Sequence, residues 1–187
     1  VYDGGASANV LTRTLNNVIS GDTVTLTGGT ASYNNKNVGT GKTVTLSGAS
    51  LADTDAGNYT LSSVATTTAD ITARPLTITA VADTKEYIRT TASAGVPTLT
   101  SGAIQGSDSV TWTQTFDNWN VGSGKTLTPA GVVTDGNSGN NYSYTYTPVA
   151  TGVITAKAIT GNFTVDATRV YDGGASANVL TRTLNNV

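Results

Sequence analysis

The chain has no cysteine and no histidine. Without cysteine there is no disulfide and no thiolate metal site. Without histidine the commonest general base and the commonest metal ligand are both missing. Glu86 is the single glutamate, and no paired-carboxylate constellation stands out. These absences point away from an enzyme, and no catalytic residue and no cofactor are expected. Charge is scarce: 12% of residues are Asp, Glu, Lys or Arg, and the net charge is −2, against roughly 25% charged residues in an ordinary soluble domain. A surface without a basic patch does not call for nucleic acid or an anionic membrane. No apolar run approaches the length of a membrane span, so no membrane insertion is expected. The helical period is also missing throughout.

What the chain does have is repetition. Residues 1–18, VYDGGASANVLTRTLNNV, return unchanged as residues 170–187. Identity of that length reads as a slice of a tandem array with a period of 169 residues. A second, weaker repeat lies inside the first. Residues 33–45, YNNKNVGTGKTVT, align with residues 116–128, FDNWNVGSGKTLT, at an offset of 83. The same offset pairs Asn58-Tyr59 with Asn141-Tyr142 and Ile71-Thr72-Ala73 with Ile154-Thr155-Ala156. Asp22-Thr23-Val24-Thr25 pairs with Asp108-Ser109-Val110-Thr111 at offset 86. Each period therefore holds two diverged units. The expected division is 1–75 for a first unit without its opening strand, 76–158 for a second unit, and 159–187 for the start of another first unit.

Period-2 alternation marks strands in both units: Thr23 to Thr27, Thr43 to Leu46, Leu76 to Val81, Val110 to Thr113 and Tyr142 to Tyr146. Thr and Val suit a pleated, half-buried surface, and Asn, Gly, Ser and Asp clusters separate the runs. Units of about 80 residues are large enough to bury a core. The expectation is all-β: tandem small antiparallel β-sandwiches, immunoglobulin-like, end to end. Alternation puts Val24, Leu26, Val44, Leu46, Tyr59 and Leu61 on the inner face of the first unit. In the second it selects Val110, Trp112, Phe116, Leu127, Tyr142 and Tyr144. On this assignment Leu46→Ala costs about 2–5 kcal/mol.

Several motifs invite a sharper reading. Gly39-Thr40-Gly41-Lys42-Thr43 resembles a phosphate loop, but its first glycine would have to stand at Lys36, and a strand follows in place of a helix; a hairpin turn is the expectation. Asp53 and Asp55 are too few for calcium, which takes six to eight oxygens. Asn58, Asn141 and Asn162 open glycosylation triplets that arise freely in an Asn- and Thr-rich chain. Threonines in Thr-x-Thr runs read as solvent-facing strand residues. Asp55-Ala56-Gly57-Asn58-Tyr59 has the form of a tyrosine corner, with Tyr142 its counterpart in the second unit; a simple turn before a strand reads equally well. Trp119 aligns with Lys36 and Tyr146 with Ser63, so both are expected at the surface. They are the candidate contacts for a sugar ring or for a neighbouring repeat.

Tyr2-Asp3-Gly4, Gly21-Asp22, Val38-Gly39-Thr40-Gly41-Lys42-Thr43-Val44, Asn58-Tyr59-Thr60-Leu61 and Ile71-Thr72 together resemble the YDG domain. That domain recurs in filamentous-haemagglutinin-like and other very large bacterial surface adhesins. The second unit resembles the related MBG group of mostly bacterial immunoglobulin-like repeats, though Tyr87-Ile88-Arg89 stands where the naming motif would fall. The resemblance implies a secreted or cell-surface stalk and spacer module, associated with adhesion and biofilm, and carries no catalytic residues. The alternative is a carbohydrate- or matrix-binding repeat that uses Trp119 and Tyr146. Expected partners are neighbouring repeats, a polysaccharide in the alternative reading, and a second copy bound head to tail through residues 159–187.

Overall fold

In a computed structural model, which describes residues 1–185, the chain is all-β apart from one 3₁₀ turn at Ala56–Asn58. The strands are β1 (Ser7–Ala8), β2 (Thr25–Tyr33), β3 (Gly39–Ala52), β4 (Thr67–Ile71), β5 (Arg74–Thr79), β6 (Thr84–Glu86), β7 (Thr98–Ser101), β8 (Thr113–Phe116), β9 (Gly122–Ala130), β10 (Tyr142–Thr147), β11 (Val149–Thr155), β12 (Thr160–Val165) and β13 (Val179–Asn185). They form four sheets, ordered β1-β2-β3-β4, β10-β5-β7, β6-β11-β9-β8 and β12-β13.

Residues 74–155 hold two of these sheets. Leu76, Ile78, Val133 and Tyr142 pack together beneath the first sheet, while Ala80, Phe116, Leu127 and Ile154 pack beneath the second. Alternation accounts for the choice: Leu76, Ile78 and Ala80 share one parity and are all buried, with Thr77 and Thr79 between them only half-covered. Val110, Trp112 and Tyr144 are half-buried at the margin of the core. Trp112 meets Tyr144 edge-on at 6.4 Å.

The purely antiparallel expectation needs correction. β5 lies parallel to β10, with Leu76 opposite Tyr144, and β6 lies parallel to β11. The cause is a strand that changes sheets. β5 inserts between β7 and β10, the chain then crosses at residues 80–83, and it joins the second sheet as β6. Buried Gln114 holds this crossing, accepting the Val81 N–H and donating to the Val81 carbonyl, both at 2.9 Å. The rest of the unit forms the long connection that parallel neighbours require.

The first unit differs more. Its strands form one sheet, and residues 9–24 and 59–66 flank one face of it as coil and leave that face partly open. The expected strand at Tyr59–Leu61 is not formed. Val44 is buried, but Val24, Leu26, Leu46, Tyr59 and Leu61 are only half-buried. These residues do share a face; among the described residues no strand lies over it to seal it.

The Gly-Lys-Thr segments are hairpin structure. Lys42 Nζ donates to Asn35 Oδ1 at 2.7 Å, and the same oxygen accepts the Asn37 N–H at 3.0 Å. In the second unit Lys125 donates to Asn118 Oδ1, which also accepts the Asn120 N–H. Gly41 and Gly124 sit at φ +58° and +66°, a backbone that favours glycine. The lysine thus closes its own turn, which occupies the group a phosphate would need.

Candidate functional site: the junction of the two units

The most heavily built polar site lies where the first unit meets the second. Only Thr72 and Ala73 separate β4 from β5. Tyr2 is 1% exposed. Its ring stands edge-on to Tyr142, with centroids 5.4 Å apart, and it packs in the cluster formed by Leu76, Ile78 and Val133. The Tyr2 and Tyr142 hydroxyls both donate to Asp108 Oδ2 at 2.8 Å. The Gln105 N–H donates to the Tyr142 oxygen at 2.9 Å. Lys36 lies 3.5 Å from Asp108 Oδ1 and 5.7 Å from the centre of the Tyr2 ring. The backbone is fixed as well: the Tyr2 N–H donates to the Thr72 carbonyl at 2.8 Å, and Arg74 Nε donates to the Tyr2 carbonyl at 2.7 Å.

A second contact is made by Asn141, which is fully buried. Its Oδ1 accepts the Val38 N–H at 2.9 Å, and its Nδ2 donates to Asn37 Oδ1 at 3.2 Å. Asp135 holds the loop that presents it, accepting the N–H groups of Asn137, Gly139 and Asn141. Burial pushes the Asp135 carboxyl up, and these three N–H groups more than reverse it, so its pKa lies below the ordinary aspartate value. Enclosed in this way, Asn141 offers no nitrogen to a glycan.

The turn after Tyr2 is preformed. Asp3 Oδ1 accepts the Gly5 N–H at 2.9 Å and Gly4 has φ +86°. A side chain on Gly4 would meet Gln105 and Gly106 at 3.4 Å, so glycine serves both the backbone and the close approach. The second copy of the motif makes the same turn, with Asp172 Oδ1 on the Gly174 N–H and Gly173 at φ +79°. There Tyr171 is 90% exposed. The turn is local chemistry, and the partner unit is what buries the tyrosine. In the second unit the Tyr87 N–H donates to the Thr155 carbonyl at 2.9 Å, as Tyr2 does to Thr72. Arg89 takes the place of the glycine, at φ +59°.

The other proposed residues fall around this pattern. The Tyr59 hydroxyl donates to Asp22 Oδ2 at 2.6 Å and accepts the Ile19 N–H at 3.0 Å. That repeats the Tyr142–Asp108–Gln105 arrangement on the outer side of the first unit. Both tyrosines therefore tie back to a loop 37 or 40 residues upstream, farther than the local corner expected of Asp55, Tyr59 and Tyr142. Asp55 Oδ2 instead accepts the Thr23 N–H at 2.7 Å, and Asp53 Oδ2 accepts the Thr25 hydroxyl at 2.5 Å. Trp119 is 47% exposed in the β8–β9 loop, at the position Lys36 holds in the first unit. Tyr146 is half-buried, stacks on Tyr144 at 6.0 Å and donates its hydroxyl to the Gly131 carbonyl. The structure does not bring Trp119 and Tyr146 into one site. Sequence reasoning missed Tyr2 and Asp108, although the recurrence of Asp22 at Asp108 was a usable signal.

Burial pushes the Tyr142 phenol far above its ordinary value, the Gln105 N–H opposes this, and the Asp108 carboxylate adds to it. Burial likewise raises Tyr2. A phenol whose folded pKa is raised stabilises the fold fully below its unfolded pKa, about 10. That contribution is lost as pH rises through the higher folded values. Burial raises Tyr144 and Tyr146 too, and the Asp22 hydrogen bond raises Tyr59, so alkaline titration followed by tyrosinate absorbance and circular dichroism is expected to show these five phenols ionising late, the buried ones together with loss of structure. Ionisation of all eight tyrosines near pH 10 with the fold intact would contradict this.

The chain is all-β, with a tyrosine–aspartate arrangement buried between its N-terminal residues and the sheets of residues 74–155. The YDG domain family model matches residues 1–69 and 72–150, and the chain belongs to that family. The second match includes the unit whose Tyr87-Ile88-Arg89 departs from the Tyr-Asp-Gly motif. No curated protein and no solved structure gives a significant match.

Proposed function

We propose that the chain is a structural spacer from a large secreted or cell-surface bacterial adhesin, built of tandem immunoglobulin-like, MBG-related sandwiches joined end to end. The observation that carries this reading is the junction: two residues of connection and a buried Tyr2–Asp108–Tyr142 arrangement that restrains one unit against the next. A spacer needs that restraint, whereas a flexible tether does not. The polar groups of the junction are also spent on one another, and no catalytic role is assigned to them. Low charge and a Thr-, Ser-, Asn- and Gly-rich surface suit a protein outside the cell.

The second reading, a carbohydrate- or matrix-binding repeat, is favoured by one observation, the exposure of Trp119. An aromatic face in water is suited to stacking on a sugar ring. A glycan array with the native chain and Trp119→Ala separates the two. The spacer reading expects no retention that depends on Trp119. Binding to a defined glycan that disappears in Trp119→Ala would replace it with the second reading.

A further inference from the structure

Within residues 74–155 the opening and closing strands run side by side in the same direction. β5 lies parallel to β10, in register from Arg74 opposite Tyr142 to Thr79 opposite Thr147. β6 lies parallel to β11, from Thr84 opposite Val153 to Glu86 opposite Thr155. Residues 80–83 separate β5 from β6, and only Pro148 separates β10 from β11. The opening segment, β5 and β6, and the closing segment, β10 and β11, therefore change sheets together. They remain neighbours from one end of the unit to the other.

Backbone bonds tie the two segments along this whole length. The Arg74 N–H donates to the Asn141 carbonyl and the Ala80 N–H to the Thr147 carbonyl, each at 3.0 Å. Past the crossing, the Val153 N–H donates to the Asp83 carbonyl and the Tyr87 N–H to the Thr155 carbonyl, each at 2.9 Å. Side chains from both segments enter the core: Leu76, Ile78 and Ile154 are 1%, 0% and 1% exposed. The bonds of Gln114 to Val81 hold the crossing itself.

This topology decides how the unit meets a pull along the chain. The chain enters at Arg74 and leaves at Thr155, and parallel pairing puts these two points at opposite ends of the ladder. Tension then slides the opening segment lengthwise past the closing one. The bonds between them share the force and must give way together. Were the two segments antiparallel, entry and exit would lie at the same end, and the same pull would peel the bonds apart one at a time. Forced unfolding is governed by the unfolding rate, and a ladder that must break as a whole slows that step under tension.

We propose that residues 74–155 form a tension-bearing element, with the parallel ladder between β5–β6 and β10–β11 as the clamp that resists extension. A spacer that keeps its length without being stretched has no need of such a clamp, so this inference and the functional reading fail separately.

The absence of cysteine lets pulling handles be placed at chosen points. Thr72, Asn140 and Ala156 are exposed, so thiols at these positions leave the fold unchanged. The full chain carrying Thr72→Cys and Ala156→Cys is stretched by single-molecule force spectroscopy, with the thiols kept reduced until the handles are attached. It is compared at the same pulling speed with the full chain carrying Thr72→Cys and Asn140→Cys. The first pair loads the ladder along its strands. The second draws β5 away from β10 at the end where Arg74 faces Tyr142. Thr72 is common to both, so the contacts with the first unit are loaded from the same point. The expected result is that the first pair yields at several times the force of the second. Equal forces in the two directions, or a lower force between Thr72 and Ala156, would overturn the proposal.

Discussion

Asp108→Ala is expected to cost about 3–5 kcal/mol of stability, because two buried phenols lose a charged acceptor and have no other within reach. The Asp108 side chain is 3% exposed and accepts the Tyr2 and Tyr142 hydroxyls, each at 2.8 Å. The ion pair with Lys36 adds little to this estimate, since that lysine is 37% exposed and screened by solvent. Asp22→Ala is the internal control. Asp22 stands in the same relation to Tyr59, at 2.6 Å, but no second unit rests on it. A much smaller loss is expected there. Equal losses from the two substitutions, measured by denaturant unfolding, would mean that the neighbouring unit contributes nothing to the Asp108 site.

The second large effect separates the two cores. Leu127 is 0% exposed and lies beside Phe116 and Ile154, so Leu127→Ala should cost about 2–5 kcal/mol. Leu46 occupies a comparable place in the alternation of the first unit, and from the pattern alone it carries the same expected cost. In the structure it is only half-buried, on the partly open sheet face flanked by residues 10–16 and 59–64. Its truncation removes contacts that are already partly open to water, and about 1 kcal/mol is expected. Urea unfolding of the two variants reads the difference. A Leu46→Ala cost as large as that of Leu127→Ala would show that this face is closed in solution.

These two leucines show what the pattern could and could not reveal. Alternation identified inner faces in both units, and in the second unit Phe116, Leu127 and Tyr142 are indeed buried at 2%, 0% and 4%. Alternation says which side of a strand is apolar. It does not say whether anything covers that side, which is why Val24, Leu26 and Leu46 were given too much burial. Strand direction was equally hidden, since a period-2 run reads the same whether its neighbour is parallel or antiparallel. The parallel pairing of β5 with β10 follows from a crossing at residues 80–83 that no run of hydrophobicity marks.

The site was legible in fragments. The motif Tyr2-Asp3-Gly4 and the recurrence of Asp22 as Asp108 were both visible. Their meeting was not, because Tyr2 and Asp108 lie 106 residues apart. Exposure was inferred by aligning the units, and this served Trp119 better than Tyr146. Ser63 and Tyr146 share a position, but a tyrosine there finds Tyr144 to stack on and the Gly131 carbonyl to bond. A small residue at an aligned position reports what the first unit tolerates, without fixing where a larger one will lie in the second.

The proposed spacer role requires Tyr2 and Asp108 to couple the two units. Hydrogen exchange, followed residue by residue in the native chain and in Asp108→Ala, tests it most directly, because exchange resolves local opening from global unfolding. The substitution is expected to release the amides of β2 and β3, whose last residue, Ala52, lies 56 residues before Asp108 in the chain, while β9 and β11 keep most of their protection. Protection of β2 and β3 unchanged by Asp108→Ala would contradict it.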